Sequence, residues 1–316
     1  MEGKWMILTV TMNPSVDMAY QMDTFQLDEV NRVTQVVKTA GGKGLNVTRV
    51  LQQLGVEVKA TGIVGGHFGE FIKAELAKQT IDYQFYEINQ ESRNSIALLH
   101  DGLQTEILEA GPTILKNQQM EFLEVYKQLL KTATTVTLSG SLSKGLPSTF
   151  YSQLILLAQA VGCAVLLDTS GNSLKEAVHA KVKPMLIKPN ETEIAELLGV
   201  AKVEKSVVSL KKQLQEPLFS EIPWVVVSMG ASGAFAKFQD RFFEVTIPKI
   251  DVVNPVGSGD ATLAGIAAMI DQAGTPEEVL KMGMTTGMLN AMETSTGQIN
   301  PNLVQRYYEQ VQVIEK

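Results

Sequence analysis

Short apolar runs rich in β-branched residues alternate along this chain with longer stretches of helical spacing, and that rhythm restricts the fold more than any other feature. Met6–Thr11 reads as a strand. Residues 44–54 put Leu45, Val47, Val50, Leu51 and Leu54 on one helical stripe that stops at Gly55, a residue suited to a helix end. The spacing then predicts a strand over 58–64, a helix over 70–79, a strand over 135–139 and a helix over 148–161. Strand Ala164–Asp168, a helix over 173–181 and a strand over 185–188 continue the series. Helices over Glu191–Leu198 and 207–215 lead into strand Trp224–Ser228, and from Ala261 onward the chain reads as helices, the last starting at Asn300-Pro301. Strands separated by helices are joined by βαβ crossovers, which cover both faces of a mostly parallel sheet. The predicted class is α/β.

Two segments break the rhythm. Residues 20–37 alternate with a period near two, and 83–108 also read as strands, with Asp101-Gly102 as a hairpin turn. They are expected to meet as a small sheet outside the main one: either a lid that excludes water from a transfer reaction, or an edge extension or oligomer surface. The expected division is a core of about 1–12, 38–82 and 109–316, with a lid of about 13–37 and 83–108.

The 316 residues are 45% hydrophobic and 19% charged, a globular composition. Lys and Arg number 27 against 34 Asp and Glu, a net charge of −7 with no basic stripe, which argues against a nucleic-acid partner. A few cations inside a cleft still suffice for a small anion. Cys163 stands alone in an apolar run, and no window approaches the ~18 apolar residues of a membrane span. The N-terminal apolar stretch is short for a signal peptide, so the expected location is cytoplasmic.

The sharpest motif is Asn254-Pro-Val-Gly-Ser-Gly-Asp-Ala-Thr-Leu-Ala-Gly265, read as a strand through Val252 and Val253 that runs into Gly257, Ser258 and Gly259 and then a helix. Small residues at a helix start let backbone N–H groups converge on an anion. Asp260 at that point is either a helix cap or a general base that deprotonates an attacking hydroxyl beside those amides. Ala40-Gly-Gly-Lys-Gly-Leu-Asn46 again leads glycines into a helix. There Gly41 and Gly42 permit close backbone approach, Lys43 brings a charge, and Asn46 offers donor and acceptor to sugar hydroxyls; a plain βα loop is the other reading. The spacing of a Walker A loop occurs nowhere. In Lys188-Pro-Asn-Glu-Thr-Glu193, Asn190 and Glu193 form a capping box, which by itself accounts for both. Ser228, Gly230 and Gly233 belong to a small-residue loop at a strand's carboxyl end, where ligands sit on parallel sheets or the chain simply turns. Asp17 lies just past the first strand, Ser139 and Ser141 end another, and Arg93 falls in the lid-like segment; the last three are candidates for a phosphate.

Together these blocks resemble the ribokinase-like (PfkB) family of carbohydrate kinases along nearly the whole chain. Gly41-Gly-Lys-Gly-Leu-Asn46 is similar to the family's first signature, and the stretch from Asn254 to Asp260 to its second, whose last Asp is the family's catalytic base. The resemblance implies a single ribokinase-like kinase domain of three α/β/α layers with a small β-sheet lid, and ATP and Mg²⁺ as cofactors. Asp17, Gly41, Gly42, Lys43 and Asn46 would then hold the sugar, with Arg93, Ser139 and Ser141 near its phosphate. Lys188, Asn190, Ser228, Gly230, Gly233 and Asn290 would line the nucleotide site, and Glu193 would organise magnesium indirectly. Gly257, Ser258 and Gly259 would form the anion hole beside Asp260. Within the family the likeness is closest to the ketohexose-monophosphate kinases, the tagatose-6-phosphate kinase branch first and the 1-phosphofructokinase branch beside it. A homodimer through the lid is implied in the same way. Ser143 stands where relatives commonly carry Pro, and Asn254-Pro255 where many carry Asp-Thr. Intact Asp260, Gly257 and Gly259 weigh against a non-catalytic sensor on the same scaffold, and the absence of a G-x-G-x-x-G turn weighs against a dehydrogenase.

Overall fold

The structure is a computed structural model that describes residues 6–33, 35–204 and 206–316. In chain order the strands are β1 (Met6–Thr11), β2 (Ser15–Gln21), β3 (Gln35–Gly41), β4 (Val58–Gly65), β5 (Asp82–Tyr83), β6 (Tyr86–Ile88), β7 (Arg93–His100) and β8 (Leu103–Leu108). They continue with β9 (Ala133–Ser139), β10 (Ala164–Asp168), β11 (Leu186–Ile187), β12 (Trp224–Ser228), β13 (Ala234–Phe238), β14 (Arg241–Thr246) and β15 (Gln312–Glu315). The α-helices are α1 (Lys43–Gln53), α2 (Gly66–Lys78), α3 (Lys116–Leu129), α4 (Phe150–Ala160), α5 (Gly171–His179), α6 (Glu191–Leu198), α7 (Val207–Leu214), α8 (Ser258–Asp271), α9 (Pro276–Ala291) and α10 (Val304–Tyr308).

Among the described residues the main sheet runs β15-β14-β13-β12-β11-β10-β9-β1-β4-β5, with β6 also on β4. It is parallel from β5 to β12 and antiparallel from β12 to β15. Helices cover both faces, so successive residues of a central strand serve opposite cores. On β10, Val165 and Leu167 pack with Phe122, Phe150 and Leu154 of α3 and α4, whereas Leu166 packs with Val50, Leu263 and Ala264 of α1 and α8. Burial on both faces is why these strands read as unbroken apolar runs. α8 and α9 approach closely: a Cβ on Gly265 would lie 2.4 Å from Thr286 Oγ1, and one on Gly287 2.3 Å from Thr262 Oγ1.

A separate sheet, β3-β2-β7-β8, stands apart from the main one. Its β7–β8 turn is Asp101-Gly102, with φ of 51° and 71°, the mirror-image turn that suits a two-residue hairpin.

Four expectations are corrected. Residues 83–88 do not join the small sheet; β5 and β6 extend the main sheet along β4, and the outlying pair begins at Arg93. The period-two alternation read over 20–37 is strand only at its two ends, in β2 and β3, and the described residues between them are irregular; Thr34 lies outside the described residues. Val252 and Val253 form no strand; the Val253 N–H is bonded to Ala291 O, and both side chains are more than half exposed. The chain ends not in a helix but in β15, an edge strand that only its pairing with β14 defines.

Candidate active site

Parallel register brings the carboxyl ends of the central strands to one edge: Thr11 pairs with Ser139, and Ser139 with Asp168. Lys188 follows β11 and Ser228 ends β12 on the same edge. Beyond it opens a cavity of about 850 Å³. Gly42, Lys43 and Asn46 reach it from the start of α1; Lys188, Asn190 and Glu193 from the start of α6; Gly257, Ser258, Gly259 and Asp260 from the start of α8; and Asp17, Arg93 and Glu106 from the small sheet. Ser228, Gly230 and Gly233 line its far side. A smaller cavity of about 200 Å³ shares Gly42, Lys43 and Arg93 with it and is lined also by Ser139, Gly140, Ser141, Thr169 and Ser170.

Asp260 is the third residue of α8, whose N-cap is Gly257 at φ 84°. That φ favours glycine, and a Cβ there would meet Asn290 Oδ1 at 2.9 Å. The first turn of a helix leaves N–H groups without intrahelical acceptors, and the helix dipole adds positive potential. The Ser258 N–H reaches Pro255 O at 3.3 Å. Lys188 packs against this turn, its Nζ lying 3.3 Å from where a Cβ of Gly259 would be. The buried Asp260 carboxylate accepts a hydrogen bond from Asn46 Nδ2 at 2.7 Å. Burial first, then the charge of Asp168, push its pKa up to about 6, against the opposing pull of Lys43, the Asn46 bond and Lys188.

Asp168 was not singled out from the sequence, yet it organises the cations. Its carboxylate lies 3.3 Å from Lys188 Nζ and 3.6 Å from Lys43 Nζ. Burial would raise its pKa, but the two ammonium groups outweigh that and hold it below the ordinary carboxylate value. Lys43 is pushed up, chiefly by Asp168. An acidic residue closing the apolar run Ala164-Val-Leu-Leu-Asp168 was the available signal.

Asn190 and Glu193 do form the capping box: Asn190 Oδ1 accepts from the Glu193 N–H, and a Glu193 carboxylate oxygen from the Asn190 N–H, both at 2.9 Å. Burial raises the pKa of Glu193, and Asp168 adds to the rise. Asp17 accepts from Ser15 Oγ at 2.6 Å, and burial raises its pKa. A Cβ on Gly41 would fall 2.0 Å from Asp17 Cγ, so Gly41 serves the site by leaving room for that carboxylate. Arg93 is held by Asn13 O at 3.1 Å. Thr11 Oγ1, Ser139 Oγ and Asn13 Oδ1 are buried without a protein hydrogen-bond partner.

Asn290 departs from expectation. It is fully buried behind Gly257 and does not line the cavity; its Nδ2 holds Gln298 O at 3.0 Å and Ser295 O at 3.3 Å. The apolar wall of the cavity comes instead from Ile247, Ile250, Val252 and Val256 facing Met284 and Met288. Val252 belongs to that wall although the sequence around it reads as a strand.

The family model for pfkB family carbohydrate kinases matches residues 10–303. Two strains of Staphylococcus epidermidis carry a tagatose-6-phosphate kinase 48% identical over 310 residues, which spans 98% of this chain and 100% of the relative. Phosphofructokinase-2 from Escherichia coli, solved with substrates and products, superposes with a TM-score of 0.87 at 25% identity, over 96% of this chain and 98% of that one. A tetrameric inhibited form of the same enzyme, at 24% identity, has the same fold. The chain belongs to the pfkB family of carbohydrate kinases.

Proposed function

We propose that this kinase transfers the γ-phosphoryl group of ATP to the free primary hydroxyl of a ketohexose monophosphate, tagatose 6-phosphate, giving tagatose 1,6-bisphosphate and ADP. The observation that carries the reading is Asp260: a buried carboxylate with a pKa near 6 at the start of a helix, opening on a cavity whose other walls hold Lys43 and Lys188. Asp260 takes the hydroxyl proton, the freed oxygen bonds to the γ-phosphorus, and the bond to the bridging oxygen of ADP breaks. First-turn amides of α8 and the Lys188 ammonium beside Gly259 stabilise charge on the migrating group. The sugar phosphate belongs in the smaller cavity with Arg93, Lys43, Ser139 and Ser141, whose orphaned Ser139 hydroxyl suits an oxyanion. Asp17 and Asn46 accept and donate to the polyol. The apolar wall suits the adenine base, and Ser228, Gly230 and Gly233 close that end.

Glu193, on the cavity at the start of α6, would organise Mg²⁺ around the nucleotide phosphates indirectly. When bound, Mg²⁺ neutralises phosphate charge. The small sheet acts as a lid over the reacting groups. Its exposed Val36, Val37, Leu103, Ile107 and Leu108 support a homodimer through the lid, which light scattering with and without Ile107→Lys tests. The reaction and the lone buried Cys163 suit the cytoplasm; no helix among the described residues is long and apolar enough to cross a membrane.

Steady-state kinetics on tagatose 6-phosphate, fructose 1-phosphate, fructose 6-phosphate and the free sugars test the reading. Tagatose 6-phosphate should give the highest kcat/KM. A higher value for fructose 1-phosphate transfers the assignment to a 1-phosphofructokinase, and no transfer to any of them overturns it.

A further inference from the structure

Arg49 is a buried cation with no part in the reaction outlined above. It sits on α1, its side chain turned in beneath the site. Its Nη1 donates to Ala40 O, immediately before the Gly41-Gly42 turn. Its Nη2 donates to Asn46 Oδ1 and, at 3.3 Å, to Thr296 O. The second acceptor is the telling one. Asn46 has one carbonyl oxygen and one NH₂, so a guanidinium on the oxygen leaves the NH₂ for the opposite side, where Asp260 Oδ2 receives it at 2.7 Å. An acceptor in place of Arg49 would turn the amide over and set an oxygen against the carboxylate.

The third contact reaches the other half of the machinery. Thr296 and Gly297 buttress the first turn of α8: a Cβ on Gly257 would lie 3.1 Å from Thr296 Cβ and 3.4 Å from the Gly297 nitrogen. Gly297, at φ 66°, has space only for a hydrogen where Arg49 passes, since a Cβ there would meet Arg49 Nε at 2.9 Å. One planar group therefore touches the chain before the glycine turn, the partner of the base and the support of the anion hole. Lysine, whose three N–H donors radiate from one nitrogen, cannot reproduce that planar fork.

We propose that Arg49 is a positioning residue for phosphoryl transfer, fixing the orientation of the Asn46 amide and thereby the carboxylate of Asp260, and holding that carboxylate in register with the first turn of α8. This rests on the kinase reading above. The groups that face Asp260 from neighbouring elements are Asp168 on β10, Lys43 on α1 and Lys188 after β11, and the Arg49 charge itself also acts on it. The Asn46 bond favours ionised Asp260, so its loss moves the base toward a higher pKa.

The test compares wild type, Arg49→Met, Arg49→Lys, Asn46→Ala and the two double variants, with tagatose 6-phosphate and ATP between pH 5 and 9. Arg49→Met should lower kcat about 10–100-fold with both KM values within about threefold, the mark of an interaction used in the transition state. The acid limb of kcat should move up by about half a unit or more. Arg49→Lys should keep less than about a fifth of wild-type kcat although it keeps the charge. Adding either Arg49 change to Asn46→Ala should cost little further, since the two act as one unit. Losses that multiply, or folded Arg49 variants with wild-type kcat and an unmoved acid limb, overturn the proposal. If Arg49→Met does not fold, the cycle built on Arg49→Lys decides in the same way. A wild type inactive on every ketohexose phosphate overturns the kinase reading instead.

Discussion

Asn46 and Asp260, 214 positions apart in the chain, meet through a 2.7 Å hydrogen bond that joins the start of α1 to the start of α8. The bond ties the helix that follows the glycine-rich turn to the first turn of α8 across the cavity floor.

Asp260→Asn keeps the shape and the hydrogen-bonding capacity but removes the base. Turnover should fall about 10²–10⁴-fold with KM values for sugar and ATP nearly unchanged, as read by a coupled ADP-release assay. A variant within a few-fold of wild type removes Asp260 from the role of base.

The pKa near 6 of Asp260 in the ligand-free protein predicts an acid limb in kcat/KM, which should fall as pH drops through about 6. It also predicts a stability effect of known sign. Because the folded-state pKa is raised above 3.8, the protonated carboxyl favours the folded state below pH 3.8, and that contribution is lost as pH rises through about 6. Asp260→Asn should therefore melt a few degrees higher than wild type at pH 8 and show no such gain at pH 4. Differential scanning calorimetry at the two pH values checks this.

Arg93→Ala should raise KM for a sugar phosphate by about 10–100-fold while leaving the weak reaction with free sugars within a few-fold. Equal losses for both substrate types would remove Arg93 from phosphate recognition.

Asp168→Asn leaves the buried Lys188 ammonium without its carboxylate, and breaking a buried pair of this kind costs about 3–5 kcal/mol. Urea unfolding should register that loss at pH 7. Since the pKa of Asp168 is depressed, its contribution is present above the ordinary carboxylate value and fades as pH falls through the lowered one, so the gap between variant and wild type should narrow in acid.

Strands β10 and β12 and helix α6 occupy the residues that apolar runs and capping signals mark out. α6 carries its full capping box and ends at Gly199, φ 65°. The exposed edge strand β15 was beyond reach because four residues at a chain end acquire a conformation only from the neighbour they pair with. The same limit hid β5 and β6, which lie on β4 although their alternation reads like the small sheet's.

By itself the sequence determined the α/β class and the glycine turns at Gly42 and Gly257, because chain-local demands on φ and on helix starts are written in neighbouring residues. Only the tertiary structure decided that Asp168 would sit between Lys43 and Lys188, that Arg49 would orient Asn46, and that Asn290 would stand behind the site instead of in it. Those pairings join strands and helices distant in the chain, and Coulomb attraction and burial act on separation in space, which sheet order and helix packing set.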